Sequence, residues 1–122
     1  QVAAALAATL PQDFDVAADV LEAALRPARL DDDLKWFAPA DDGLAGWIVW
    51  PLTEFVAANG LLHVDRALRA LHALTQRLTA EFALRPFLIA HPERTFATLR
   101  EWLHDPSPHV RRLVSEGSRP RL

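Results

Sequence analysis

The sequence contains no cysteine. A disulfide framework and a thiolate metal site are therefore excluded, and a reducing, cytoplasmic setting is the expectation. No stretch approaches the roughly 18 to 20 apolar residues needed to cross a bilayer, so no membrane partner is expected. Sustained period-two alternation is missing as well, which leaves little room for strands. There is no glycine-rich phosphate loop and no nucleophile elbow, so nucleotide hydrolysis and serine esterase chemistry have no support. The five histidines show no zinc spacing, and "HDPSPH" merely sets His104 and His109 across a turn. No metal and no cofactor is assigned.

What is present is a chain of 122 residues, 51% of them apolar, enough for one core and one domain over 1–122. Its opening, "QVAAALAATLPQ", lacks an initiator Met and a basic leader and is expected to be the remainder of an alanine-rich helix. Charge is unevenly placed: residues 1–60 carry a balance of −7, residues 61–122 a balance of +4, and the whole chain −3. Every basic residue of the second half is arginine, which suits planar, bidentate contact with phosphate or carboxylate. Such asymmetry points to a polyanionic partner, although solvated faces and internal ion pairs would use the same residues.

Ala, Leu and Arg dominate, so the domain is expected to be all-α. Phe14, Ala17, Ala18, Leu21 and Leu25 recur at helical spacing within about 13–25, ahead of Pro27. An irregular loop is expected over about 26–46, rich in Asp, Pro and Gly. "WPLTEFVAANG" reads as a helix with Pro51 in its first turn and Asn59-Gly60 as its C-terminal stop. From Leu61 to about Leu78 an apolar stripe runs through Val64, Leu68, Leu71 and Leu74, with Arg66, Arg69, Gln76 and Arg77 off the stripe. "TAEFALRPFLIAHP" carries Pro86, expected to kink it or divide it in two. "PERTFATLREWLHDP" and "PHVRRLVSEG" each begin with proline, and Gly117 is expected to stop the second. Short, proline-bounded helices with tight turns suggest stacked antiparallel pairs, an α-solenoid of HEAT-like repeats, with a compact helical bundle as the competitor.

The closing stretch, "HVRRLVSEGSRPRL", holds four arginines and one carboxylate, Glu116. An acid in the last turn of a helix is disfavoured by roughly 0.3 to 1 kcal/mol because the backbone carbonyls there are already partly negative. Arg112, four residues earlier, offers an i, i+4 pair as the simple explanation. The functional alternative is that Arg112, Arg119 and Arg121 clamp a phosphate backbone while Glu116 stabilises a cation or orients a water. Glu81 stands near a helix start, where the dipole favours it. Trp36, Trp47, Trp50 and Trp102 could stack on bases, but Trp47, Trp50 and Trp102 lie in apolar stretches and are expected in the core.

From "WPLTEFVAANGL" onward, and most densely in "TAEFALRPFL" and "PHVRRLVSEGSRPRL", the sequence closely resembles the DNA alkylation repair family, the HEAT-like DNA glycosylases, and within it the AlkC branch. The resemblance implies a helical solenoid whose basic concave face wraps duplex DNA. It implies removal of alkylated, cationic purines such as 3-methyladenine by hydrolysis of the N-glycosidic bond, without a conventional base-flipping pocket. A catalytic role is thereby carried to Glu81 and Glu116, and contact with the DNA backbone to Arg112, Arg119, Arg85 and Arg121. The family pattern continues past "RPRL" into further repeats, so the chain is expected to be part of a longer glycosylase and to self-associate through an exposed solenoid end. The alternative is a HEAT-like protein- or DNA-binding module without the chemistry.

Overall fold

The computed structural model describes residues 13–25, 49–77 and 80–117, and their regular elements are six α-helices. In chain order these are α1 (Phe14–Ala23), α2 (Trp50–Asn59), α3 (Val64–Thr75), α4 (Glu81–Ala90), α5 (Pro92–Trp102) and α6 (Pro108–Gly117). The expected loop over 26–46, the opening alanine-rich stretch and Leu78 lie outside the described residues. None of the described helices is long and apolar enough to cross a membrane.

Each helix starts where local chemistry directs. Asp13 caps α1, its Oδ1 accepting the N–H groups of Asp15 at 2.9 Å and Val16 at 3.4 Å, a contribution of roughly 1 kcal/mol. Proline opens α5 and α6 and stands at the start of α2, where its missing N–H would have had no partner in any case. The expected core stripe of α1 is realised: Phe14, Ala17, Ala18, Leu21 and Leu25 are all buried.

Packing follows a two-row plan. The odd helices α1, α3 and α5 stack in order, the even helices α2, α4 and α6 stack beside them, and each helix also packs on its neighbour in sequence. α1 meets only α2 and α3 in this way, whereas α3 touches all five other helices. This is a solenoid-like stack with α3 at its centre, and its Leu68, Leu71 and Leu74 are at most 1% exposed. Burying each such leucine contributes roughly 1.5 to 3 kcal/mol.

The central place of α3 corrects the expected polar face. Arg69 is exposed, but Arg66, Gln76 and Arg77 are buried. The guanidinium of Arg66 bridges Asp19, at 2.7 Å, and Glu22, both on α1. Burial works against its charge, but the hydrogen bonds and charges of Glu22 and Asp19 outweigh that and raise its pKa further. For Arg77, burial lowers the pKa despite the charge of Glu22, and its Nη1 donates to the carbonyl of Ala73 at 2.7 Å. A helix with five neighbours keeps only a narrow wet strip, here Asp65 and Arg69, and a one-dimensional pattern cannot reveal that.

Two other expectations are corrected. α3 begins at Val64 rather than Leu61, because residues 61–63 form the turn that follows α2. α4 is one helix through Pro86, not two pieces; the proline removes one backbone bond, and Thr95 strengthens the C-terminal end by donating its hydroxyl to the carbonyl of Phe87 at 3.0 Å. As expected, α6 runs to Gly117, the last described residue. Its place is set by contact: a Cβ there would lie 2.6 Å from Cδ2 of Leu84. Gly60 does end α2, but with φ −99° and ψ 0°, so no left-handed cap is involved.

Candidate nucleic-acid interface

Four of the sequence-derived site residues, Glu81, Arg85, Arg112 and Glu116, fall on two helices that pack together, α4 and α6. Glu81 is the first residue of α4. Its carboxylate sits at the positive end of the helix dipole, where no side chain caps the N-terminus. Arg85 follows one turn later, so the two side chains project from one side of α4. On α6, Arg112 and Glu116 have the same four-residue spacing in reverse order. Each helix thus offers one carboxylate and one guanidinium from a single face.

The point of contact between the helices lies among these residues. Leu84, with no exposed surface, lies against Gly117, where a Cβ would come within 2.6 Å of its Cδ2. Glu81 is three residues before Leu84 and Arg85 is the next residue; Glu116 immediately precedes Gly117. The acids, 35 positions apart in the chain, thus each stand within one turn of this contact along their own helices. Both are half-buried, so neither is sealed in the interior. Arg85 is half-buried and Arg112 exposed.

Glu116 and Arg85 each have an interaction partner in the chain. Arg119 and Arg121 lie outside the described residues, as do Trp36 and Trp47. Trp102 is buried as expected, but Trp50 is only half-buried. Its ring meets that of Phe82 edge-on, with centroids 5.8 Å apart. Phe82 is 50% exposed and adjoins Glu81, so aromatic surface borders the candidate acid, a feature that the sequence reading missed.

A groove of about 460 Å³ lies away from this junction, between α3 and α5. None of its lining residues belongs to α4 or α6; Glu22, Leu68, His72, Gln76, Glu101 and Trp102 are among them. His72 was passed over in the sequence for want of zinc spacing, but it makes a 2.7 Å hydrogen bond to Asp105, 33 positions away. No group of three or more metal-ligating side chains occurs among the described residues.

Comparison with known proteins adds one relative. Over 89 residues the chain is 46% identical to the uncharacterised protein YhaZ of Bacillus subtilis (strain 168), a match covering 73% of this chain and 24% of the relative. The chain thus spans about a quarter of the length of the curated relative it matches. No family model matches the sequence, and no solved structure matches it significantly.

Proposed function

We propose that this chain belongs to a DNA glycosylase that excises alkylated, cationic purines such as 3-methyladenine from duplex DNA by hydrolysing the N-glycosidic bond. The observation that carries the reading is the Leu84–Gly117 contact, which joins the two helices that bear Glu81, Arg85, Arg112 and Glu116.

The chemistry asks little more of a protein. An alkylated purine bears a positive charge and is already a good leaving group. The barrier lies in the sugar, which develops oxocarbenium character as the bond to nitrogen lengthens. A carboxylate held beside that sugar stabilises the developing charge, and a second can orient the attacking water and accept its proton. Glu81 and Glu116 take these roles. Arg112 and Arg85, joined by Arg119 and Arg121 of the C-terminal stretch, bind backbone phosphates and fix the register without reading sequence. Phe82, supported by the edge of Trp50, offers a face on which a cationic base or sugar can rest.

The decisive assay is release of base from methylated duplex DNA by the full-length protein and by its Glu81→Gln and Glu116→Gln variants. Each substitution keeps shape and removes charge, and each is expected to slow release by about 10² or more, the scale of losing one electrostatic stabiliser. Equal rates for all three proteins would remove the catalytic assignment. The engagement of Arg85 and Glu116 within the chain favours a second reading, a HEAT-like binding module without chemistry. That reading predicts partner binding and no base release by the wild-type protein.

A further inference from the structure

The side chains that α6 offers depend on how that helix is set, and the turn that launches it is fastened to α3 at one imidazole. Nε2 of His72 lies 2.7 Å from Oδ2 of Asp105. The histidine side chain is 31% exposed and the aspartate 16%. The other carboxylate oxygen, Oδ1, accepts the N–H of Ser107 at 2.9 Å, immediately before α6 begins. Arg111, in the first turn of α6, donates from Nη1 to the main-chain oxygen of Asp105 at 2.6 Å. On the far side of the ring, the amide Nε2 of Gln76 is 3.4 Å from Nδ1 of His72 and donates to the His72 carbonyl at 3.0 Å. The ring of Trp102, at the end of α5, stands edge-on to the imidazole with centroids 5.2 Å apart.

An ionised carboxylate only accepts, so Nε2 of His72 is the donor to Asp105. Burial disfavours the charged form of Asp105, but the hydrogen bonds from His72 and Ser107 and the charges of His72 and Arg111 outweigh it and hold the carboxyl below its usual range. Three elements therefore meet on one ring: α3, the end of α5 and the start of α6. Val110, Leu113 and Val114 hold α6 against its neighbours by apolar contact, which is non-directional. The His72–Asp105 bond supplies a directional constraint on the rotation of the helix.

We propose that His72 and Asp105 are positioning residues for the α4–α6 site: their hydrogen bond pins the turn 103–107 to α3 and so determines how α6 presents Arg112 and Glu116 beside α4. The proposal rests on the reading of that junction as a duplex-DNA site, and it extends that reading to two residues that touch neither Glu81 nor Glu116 in sequence.

The test combines hydrogen exchange of the α6 amides with duplex-DNA affinity, both on the full chain. The variants are His72→Ala, Asp105→Ala, their double, and His72→Gln, whose amide can still donate to the carboxylate. Arg112→Ala serves as a direct-contact control, and Thr95→Val as a variant that loosens the α4–α5 turn without touching α6. Each alanine variant is expected to speed exchange across Arg112–Gly117 and to weaken duplex binding about tenfold, with the double no worse than either single because they share one interaction. His72→Gln recovers most of both losses, and Thr95→Val leaves affinity unchanged while the chain is folded. Unaltered α6 exchange and affinity in His72→Ala and Asp105→Ala, with Arg112→Ala still weakening binding, overturns the positioning role and leaves the DNA reading standing. Failure of the wild-type chain to bind duplex overturns the reading itself, and this proposal with it.

Discussion

Gly60 offers a test of whether contact or backbone conformation places a glycine at the end of α2. Its φ and ψ of −99° and 0° are open to any residue, so alanine there meets no conformational penalty. By narrowing the unfolded chain, alanine would contribute about 0.4 to 1 kcal/mol in favour of folding. Space argues the other way. A Cβ would lie 2.7 Å from the Cβ of Ala67, 2.7 Å from the carbonyl oxygen of Val56 and 2.9 Å from Cζ of Phe14. Ordinary contact between such atoms is roughly 3.5 to 4.0 Å, so all three are far inside it. One of them is main chain, Ala67 is fully buried and Phe14 is 5% exposed, so no side chain can swing away. Overpacking of this kind costs about 1 to 3 kcal/mol, and here the upper end applies. The net effect of Gly60→Ala is a loss of about 2 kcal/mol, or a fall in Tm of roughly 8 °C for a domain of this size. Thermal unfolding followed by circular dichroism measures it. Gly60→Asn gives the sharper discrimination, because asparagine suits a left-handed cap but is bulkier than alanine. A Tm that falls further for Asn than for Ala supports close approach; an unchanged Tm for Ala, or better tolerance of Asn, would refute the reasoning.

Two other predictions come from the ionic contacts. Arg66→Ala leaves Glu22 without its buried partner and should destabilise by about 2 to 4 kcal/mol, whereas Asp19→Ala, on a carboxylate 73% exposed, should cost less than about 1 kcal/mol; equal losses in urea unfolding would show that the bridge is not what holds α1 on α3. Asp105 governs acid stability. Its folded-state pKa is depressed, so its contribution is fully present above the ordinary carboxylate value and is lost as pH falls through the lower folded value. Stability measured across the acid range should therefore rise with pH more steeply in the wild type than in Asp105→Asn, and parallel curves would contradict the depressed pKa.

Much of the helical plan is visible along the chain because its causes are local. Asp13 before an apolar stripe, proline at the start of α2, α5 and α6, and the spacing of Phe14, Ala17, Ala18 and Leu21 depend on residues a few positions apart. The candidate acids could be singled out because they stand near helix ends, where the sign of a charge matters. The fates of Arg66 and His72 could not be read in this way. Their partners, Asp19, Glu22 and Asp105, are 33 to 47 positions distant, and periodicity assigns a residue to a face without saying what lies opposite. Gly60 and Gly117 resemble ordinary helix stops in sequence, while the space around them is filled by Ala67, Phe14 and Leu84 from other elements.

The sequence by itself determined the helices, their proline-marked starts, the apolar stripes and the gathering of arginine in the second half, since propensity, capping and spacing operate within a turn or two of backbone. Tertiary structure decided that α3 packs on five neighbours, that an arginine and a histidine of its polar flank become ties to α1 and to the turn before α6, and that Leu84 of α4 meets Gly117 of α6. Those outcomes depend on which surfaces meet once the apolar stripes are buried, and burial brings together residues that no local rule relates.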